Sequence, residues 1–462
     1  MHNNDPYSYV IDRVNIYIPG QSNAINIAGS VLELELYEDI DNIHIQGTIS
    51  FLDTNNIFEN IDFNGTEYMQ ISVFMPDSPS NKWTGWFYVA SVLNTQKGND
   101  TSEAVTLQIV DRDSYLNNLI NVSKSYAGKI TLMMDNILRD AFQNKKRMMF
   151  GSQDVQEPIL YIPPNLTPYQ AMKVLRDRCT GPTGTPFYLF SSLADTRLRF
   201  FDLMELLELP PMNPGQPYVY NQRATDQGDD TSHHIAMMSI KNTENMMDTI
   251  RKGFLGAEYN YVNTTGGYVD TVRYDAQKVL ESIWKYSSAK SLTPNVQVNA
   301  NIGGQYMTEY TSAVHTVMAS SNVHNDYGGL DEDLTSAFHR SKSVSKAIKH
   351  YINKSNISIR VPGRNFFPAQ ANMTIGNKIL IDVLSNAEIH KGMSESELKD
   401  QKRSGAYIIL STKHHFINNR YSVDMTLGKL GNKRGLTTES RYGGGLGQVD
   451  RRLALAAGLI ER

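Results

Sequence analysis

Four short β-patterned segments occur in this chain twice, in the same order, once towards each end. Gly65-Thr-Glu-Tyr-Met-Gln-Ile-Ser-Val73 is echoed by Gly376-Asn-Lys-Ile-Leu-Ile-Asp-Val383, and Gly85-Trp-Phe-Tyr-Val-Ala-Ser91 by Gly405-Ala-Tyr-Ile-Ile-Leu-Ser411. Ala104-Val-Thr-Leu-Gln-Ile-Val110 is echoed by Tyr421-Ser-Val-Asp-Met-Thr-Leu427, and Ile43-His-Ile-Gln-Gly47 by Ile357-Ser-Ile-Arg-Val-Pro-Gly363. Alternation of apolar and polar residues marks strands with one wetted face. The recurrence predicts two related β-modules flanking an unrelated middle. A chain with two copies of one module is a device for changing symmetry.

At 462 residues the chain exceeds one ordinary core, and two to four domains are expected. Charged residues at 20% and hydrophobic ones at 40% describe a globular rather than a disordered chain. A net charge of −4 gives no whole-chain pull towards nucleic acid or anionic membrane. The basic clusters Lys145-Lys146-Arg147 and Lys429 to Arg434 are expected as solvated loops. A single cysteine, Cys179, excludes an internal disulfide framework and any cysteine-based zinc site. The start, Met1-His-Asn-Asn-Asp-Pro, lacks the basic and apolar regions of a secretory signal, and no apolar run approaches the ~18 residues of a membrane span. A soluble protein synthesised in the cytoplasm is expected.

The pattern divides the chain into five stretches: residues 1–124, 125–210, 211–355, 356–430 and 431–462. In the first, Val14 to Ile18, Val31 to Tyr37 and Ile43 to Phe51 alternate and are punctuated by glycine, as in a sandwich or barrel. In the second, Gly128 to Phe142 carries a helical apolar face. Thr167, Pro168 and Gln170 then spell a capping box with proline in the first turn. Cys179 falls on the apolar stripe of that helix and reads as core. Two strands, Phe187 to Phe190 and Leu198 to Phe201, and the helical Leu203 to Leu209 complete a small α/β domain.

The third stretch is an insertion or arm region, opening with a linker at Pro210, Pro211, Pro214 and Pro217. Within it, Tyr259 to Tyr274 reads as a strand pair around Gly266-Gly267, and Ala276 to Tyr286 as a helix. Asn299 to Gly329 reads as loops, intermolecular arms and a few strands, before a helix over 334–354. The fourth stretch is the second β-module. The fifth is a Gly-rich tail ending in an amphipathic helix, with Val449, Leu453, Ala456 and Ile460 on one face as candidate partner-docking residues. The fold class expected is α+β, mainly β.

Enzymatic motifs are absent: the chain has no His-Glu-x-x-His, no P-loop and no Gly-x-Ser-x-Gly. His233-His234 and His414-His415 are paired histidines, and alternation sends one ring of the second pair inward and one outward. A satisfied structural histidine outweighs a metal ligand there. Asp111-Arg-Asp113 and Asp331-Glu-Asp333 offer carboxylates of the kind glycoside hydrolysis needs in facing pairs, but read equally as loop or cap residues. No catalytic, cofactor-binding or metal residue is assigned.

These segments resemble the baseplate hub proteins of contractile-tailed bacteriophages, a family related to the N-terminal region of type VI secretion spike proteins. The resemblance rests on Gly47-Thr-Ile-Ser-Phe-Leu-Asp53 with Gly65-Thr-Glu67, on Asn165-Leu-Thr-Pro-Tyr-Gln-Ala-Met-Lys-Val-Leu175, and on Thr185 to Phe190 with Leu198 to Leu203. It continues in Val361-Pro-Gly363, Ile375 to Ile379 and Gly405 to Ile409, and covers about residues 10–210 and 355–430. It implies two tail-tube-like antiparallel β-barrel modules per chain and a homotrimeric ring of six quasi-equivalent barrels. Such a ring adapts a sixfold tail tube to a threefold central spike. The partners implied are a tail tube or tube-initiator protein, a central spike protein, and baseplate wedge or tape-measure proteins, with no membrane insertion and no specific nucleic-acid binding. The location implied is the virion baseplate. The alternatives are a spike-base protein of a contractile secretion or injection system and a tail-associated cell-wall hydrolase.

Overall fold

The computed structural model describes residues 5–61, 63–99, 102–143, 146–151, 159–181, 184–220, 231–242, 246–263, 268–286, 301–319, 343–353, 355–370, 374–385, 394–400 and 402–429. The first module contains β1 (Val10–Tyr17), β2 (Ile25–Asn26), β3 (Val31–Asp39), β4 (Asn42–Asp53), the single turn α1 (Ile57–Asn60), β5 (Tyr68–Met75), β6 (Ser78–Asn99) and β7 (Ser102–Asp111). Its strands pair antiparallel in the order β3-β4-β7-β6-β5-β1-β2. Their inward residues, among them Ile49, Phe51, Ile71, Val89 and Leu107, are almost fully buried.

The chain continues through α2 (Arg112–Asn117), β8 (Tyr126–Gly128), α3 (Ile130–Phe142), β9 (Met148–Phe150), β10 (Ile159–Tyr161), α4 (Pro168–Arg176), β11 (Phe187–Ser191), β12 (Leu198–Asp202) and α5 (Leu203–Glu208). The helical period of α3 buries Met133, Met134, Ile137 and Leu138 in a second apolar cluster, against Met172 and Leu175 of α4 and Leu189 and Phe200 of the sheet β11-β12-β9. The α4 start is as read: Thr167 Oγ1 accepts from Gln170 N at 3.4 Å, and Gln170 Oε1 accepts from Thr167 N at 3.2 Å. Cys179 lies buried in the same cluster.

Next come β13 (Tyr218–Tyr220), β14 (Met237–Asn242), α6 (Met246–Arg251), β15 (Gly256–Asn263), β16 (Tyr268–Asp275), α7 (Ala276–Tyr286), β17 (Asn301–Ile302), β18 (Gln305–Tyr306) and β19 (Val314–Ala319). Helix α8 spans 343–353. Then follow β20 (Ser355–Pro362), β21 (Lys378–Val383), α9 (Glu395–Leu398), β22 (Gly405–Ile417) and β23 (Arg420–Gly428). The hairpin β15–β16 and helix α7 fall where the pattern placed them. Of the helix expected over 334–354, residues 343–353 are helical and the remainder lies outside the described residues.

The second module repeats five strands of the first in order and direction and places a sixth, β13, where β1 stands but in the opposite direction. Its order is β14-β20-β23-β22-β21-β13, matching β3-β4-β7-β6-β5-β1; the pairs are antiparallel except β13–β21, which is parallel. Both copies carry a β-bulge at one place. In β6 the pairing with β7 slips between Val89 and Ser91, and in β22 the pairing with β23 slips between Ile409 and Ser411. Ala90 and Leu410, the bulged residues, each stand five after the glycines Gly85 and Gly405.

The registers correct three of the echoes: Val89 faces Ile109 as Ile409 faces Leu427, so Leu427 answers to Ile109 rather than to Val110. Val89 N donates to Glu67 O at 3.0 Å and Ile409 N to Asn377 O at 2.9 Å, so Glu67 answers to Asn377. Gly65 and Gly376, both at positive φ, are then one residue out of step. Likewise Gly47 faces Ile109 and Ile357 faces Leu427, so Gly47 answers to Ile357 rather than to Gly363. The two glycines are needed for different reasons: a Cβ on Gly47 would lie 2.2 Å from Glu35 O, and one on Gly363 would lie 2.3 Å from the Tyr421 ring.

One further expectation is corrected. The proline-rich segment after 210 is no free linker, because Met212 N donates to Lys378 O at 2.8 Å and β13 pairs with β21. Proline tolerates this place because a sheet edge leaves its missing N–H without consequence. The few strands expected after Asn299 are present as β17, β18 and β19, the last of which pairs in parallel with β15.

Candidate functional site at the seam between the modules

The modules are hydrogen-bonded to each other. Beyond its bulge, Ser411–Ile417 of β22 leaves β21 and pairs antiparallel with β3, from Ser411 opposite Asp39 to Ile417 opposite Glu33. One continuous sheet thus runs through both copies. The period of two sends Leu34, Leu36 and Glu38 inward with Thr412, His414 and Phe416. Glu33, Glu35 and Tyr37 face outward with Lys413 and His415.

On the inner face Glu38 accepts from His414 Nε2 at 3.0 Å, from Thr412 Oγ1 at 2.9 Å and from Leu193 N at 2.7 Å. His414 Nδ1 lies 2.7 Å from Tyr421 Oη, which donates to Phe366 O at 3.3 Å. The Glu38 and His414 side chains are wholly inaccessible to solvent. Burial works to raise the Glu38 pKa, but the His414 hydrogen bond and charge, the Leu193 N–H and Thr412 together outweigh it and hold the carboxyl below its ordinary value. The pair clamps the first module to the second and both to the α/β domain, which supplies Leu193.

On the outer face Glu35 is held by Lys413, Tyr37 and, at 3.3 Å, Thr48. His415 Nε2 lies 2.6 Å from Glu33 Oε1 and 3.6 Å from Glu35 Oε1. Across the next strands Arg360 forms a two-pronged pair with Asp424 at 2.5 and 2.7 Å. The Glu33, Glu35 and His415 ligand atoms converge within 4.8 Å, a grouping that resembles a cation site. The Lys413 ammonium already neutralises Glu35, so the trio reads as a salt-bridge ladder across the seam.

Of the two histidines, one ring points inward and one outward, as alternation requires, and the structure makes His414 the inward one and His415 the outward one. Their acidic partners went unseen because they lie at the other end of the chain. The available signal was Glu38 itself, a carboxylate in the inward phase of an otherwise apolar alternation. Asp111 accepts from Ser114 N at 3.2 Å as the cap of α2 and from Ile45 N at 3.1 Å. Asp113 pairs with Lys146 at 2.9 Å. These acids are spent on structure, and Asp331-Glu-Asp333 lies outside the described residues. A cleft of about 640 Å³ beside α7 is lined by Asp275 and Glu309, among others. Both accept from backbone N–H groups, Asp275 from Gln277 and Glu309 from Tyr306, each at 2.9 Å.

The basic clusters are corrected at two positions. Lys146 is buried, with Asp113 as its partner. Lys429 is buried over the Tyr407 ring, with Nζ donating to Lys402 O at 3.2 Å and Ser404 O at 3.4 Å. Each is held by acceptors from segments distant in sequence, which a local run of charge does not reveal. Cys179 is buried, which pushes its thiol well above the usual range, and it donates to Leu175 O at 3.2 Å. Val449, Leu453, Ala456 and Ile460 lie outside the described residues. No described helix is long and apolar enough to cross a membrane.

No family model matches the chain, and no curated protein matches it. Among solved structures it is similar to the tail protein from Neisseria meningitidis, at 11% identity and a TM-score of 0.50, over 92% of this chain and 97% of that one. It is also similar to the 43 kDa tail protein of prophage MuSo2 from Shewanella oneidensis, at 11% identity and a TM-score of 0.46 over 91% and 98%. A third is the E. coli c3393 protein, a type VI secretion component, at 9% and 0.41 over 94% and 80%. The chain therefore shares the mainly β fold of the Neisseria meningitidis tail protein over 92% of its length.

Proposed function

We propose that this chain is the structural hub of a phage baseplate, a homotrimer whose six β-modules join a sixfold tail tube to a threefold spike. The observation that carries the reading is the repeat of five strands in order and direction, bulge included, with the two copies fixed edge to edge by β22 on β3. Three such chains present six like modules to one neighbour while remaining threefold to another. The fold shared with the Neisseria meningitidis tail protein supports the same reading. The role is non-enzymatic, located in the virion, with tube and spike proteins as partners. The division at 1–124, 125–210, 211–355, 356–430 and 431–462 belongs to the proposal, with β13 and β14 of the third stretch completing the sheet of the second module.

The tail is assigned to docking. Removal of residues from Gly443 onward should leave a folded trimer that joins neighbouring baseplate proteins less well, through loss of Val449, Leu453, Ala456 and Ile460. Undiminished assembly of the truncated protein into baseplates would remove that assignment. Spike base of a contractile secretion system is the second reading, since the same repeat serves it equally. Light scattering of the purified chain tests both against the hydrolase: a trimer without lytic activity fits them, whereas a monomer that clears peptidoglycan fits neither. Antibody labelling of purified virions then separates phage hub from secretion component.

A further inference from the structure

The seam inside the chain has a half-made twin at each end of it. In the second module β14 occupies the place that β3 occupies in the first: Leu34 faces Ile49 as Met238 faces Ile359, and Leu36 faces Gly47 as Ile240 faces Ile357. In the first module the far half of β6 occupies the place of Ser411–Ile417 in β22, since both follow the shared bulge. Yet β3 is covered by β22, whereas β14 ends the sheet with an edge that no described strand covers. The far half of β6 is likewise uncovered on that side, because its pairing with β5 stops at Tyr88.

Burial records the difference. Leu34 and Leu36 are 0% and 1% exposed, whereas their counterparts Met238 and Ile240 are only partly buried, and Met237 is 55% exposed. Ser411–Ile417 alternates buried and half-buried, whereas Ser91 and Leu93 to Gly98 are exposed and Leu93 reaches 53%. Two uncovered edges of complementary kind, on one chain, are a template for pairing.

We infer that β14 of one copy pairs antiparallel with the far half of β6 of the next copy, reproducing between chains the seam that β3 and β22 make within one. This rests on the ring reading above and names its contact. The register follows from the internal seam. His414 faces Leu36, so Thr95 faces Ile240 of the neighbouring copy; His415 faces Glu35, so Gln96 faces Ser239 of that copy. The contact is head to tail, of the kind that closes a ring when the rotation suits and otherwise runs on as a filament.

Cysteines at opposed positions test it, because a disulfide forms only where the Cα atoms come within about 7 Å. The full-length variant carrying Thr95→Cys and Ile240→Cys, first shown to keep its oligomeric state by light scattering, is mildly oxidised and run on a non-reducing gel. Covalent two- and three-chain species are expected, at several-fold higher yield than from a control pairing Thr95→Cys with Met237→Cys. Equal yields from the two pairs overturn the register. A trimer that stays uncrosslinked overturns the seam and leaves the ring reading standing, whereas a monomeric unmodified protein overturns both. Covalent ladders longer than three chains uphold the seam and contradict closure at three.

Discussion

Glu38 and His414 show how a buried hydrogen-bonded pair acts as a fastener. Desolvating two such groups costs several kcal/mol, and what holds them is the set of partners that completes each one. His414→Leu leaves the Glu38 carboxylate buried without its main partner and is expected to cost about 3–5 kcal/mol. The double variant with Glu38→Leu should cost less than the two single changes added together. Urea denaturation at one protein concentration measures all three, and strict additivity would show that the pair is not coupled. Asp202 makes the opposite case. Burial, with the Glu205 charge adding to it, pushes its carboxyl up to about 6. An unfolded aspartate titrates near ~3.9, so between roughly pH 4 and 6 the folded state binds more protons than the unfolded one, and stability falls as pH rises through that window. Asp202→Asn should raise stability at pH 7 by about 1–3 kcal/mol and leave it unchanged at pH 3. A gain that persists at pH 3 would mean burial of the carboxylate is not its source.

Among the elements, the strands were legible because alternation is a local signal, and α3 and α4 because their apolar stripes, and the capping box of α4, are local too. What the sequence hid was pairing. β14, Met-Met-Ser-Ile-Lys-Asn, shares no recognisable letters with β3, and its partner β20 lies more than a hundred residues downstream. Matching glycines misled the alignment by a residue at Gly65 and Gly376, since glycine marks a backbone requirement, not a place in a fold. Gly47 illustrates such a requirement: its missing Cβ lets β3 pass at a distance no side chain permits. Gly47→Ala is expected to destabilise by about 1–3 kcal/mol. Gly29→Ala, where a Cβ meets nothing within 4 Å, should be nearly neutral. Thermal melts followed by circular dichroism compare them, and equal melting points would show that β3 yields more readily than close packing suggests. The inward and outward histidines of β22 were readable from parity, but their partners required the seam.

For the whole molecule, two copies of one module joined edge to edge make a unit whose internal contact can be repeated by its neighbours. The prediction at this scale is a particle with more apparent symmetry than chains. Its most direct measurement is an image of the purified protein by negative-stain electron microscopy, averaged without imposed symmetry. The account predicts an annulus with six similar lobes built from three chains. Single particles with two lobes, or rings whose lobe number is not twice the number of chains, would contradict it.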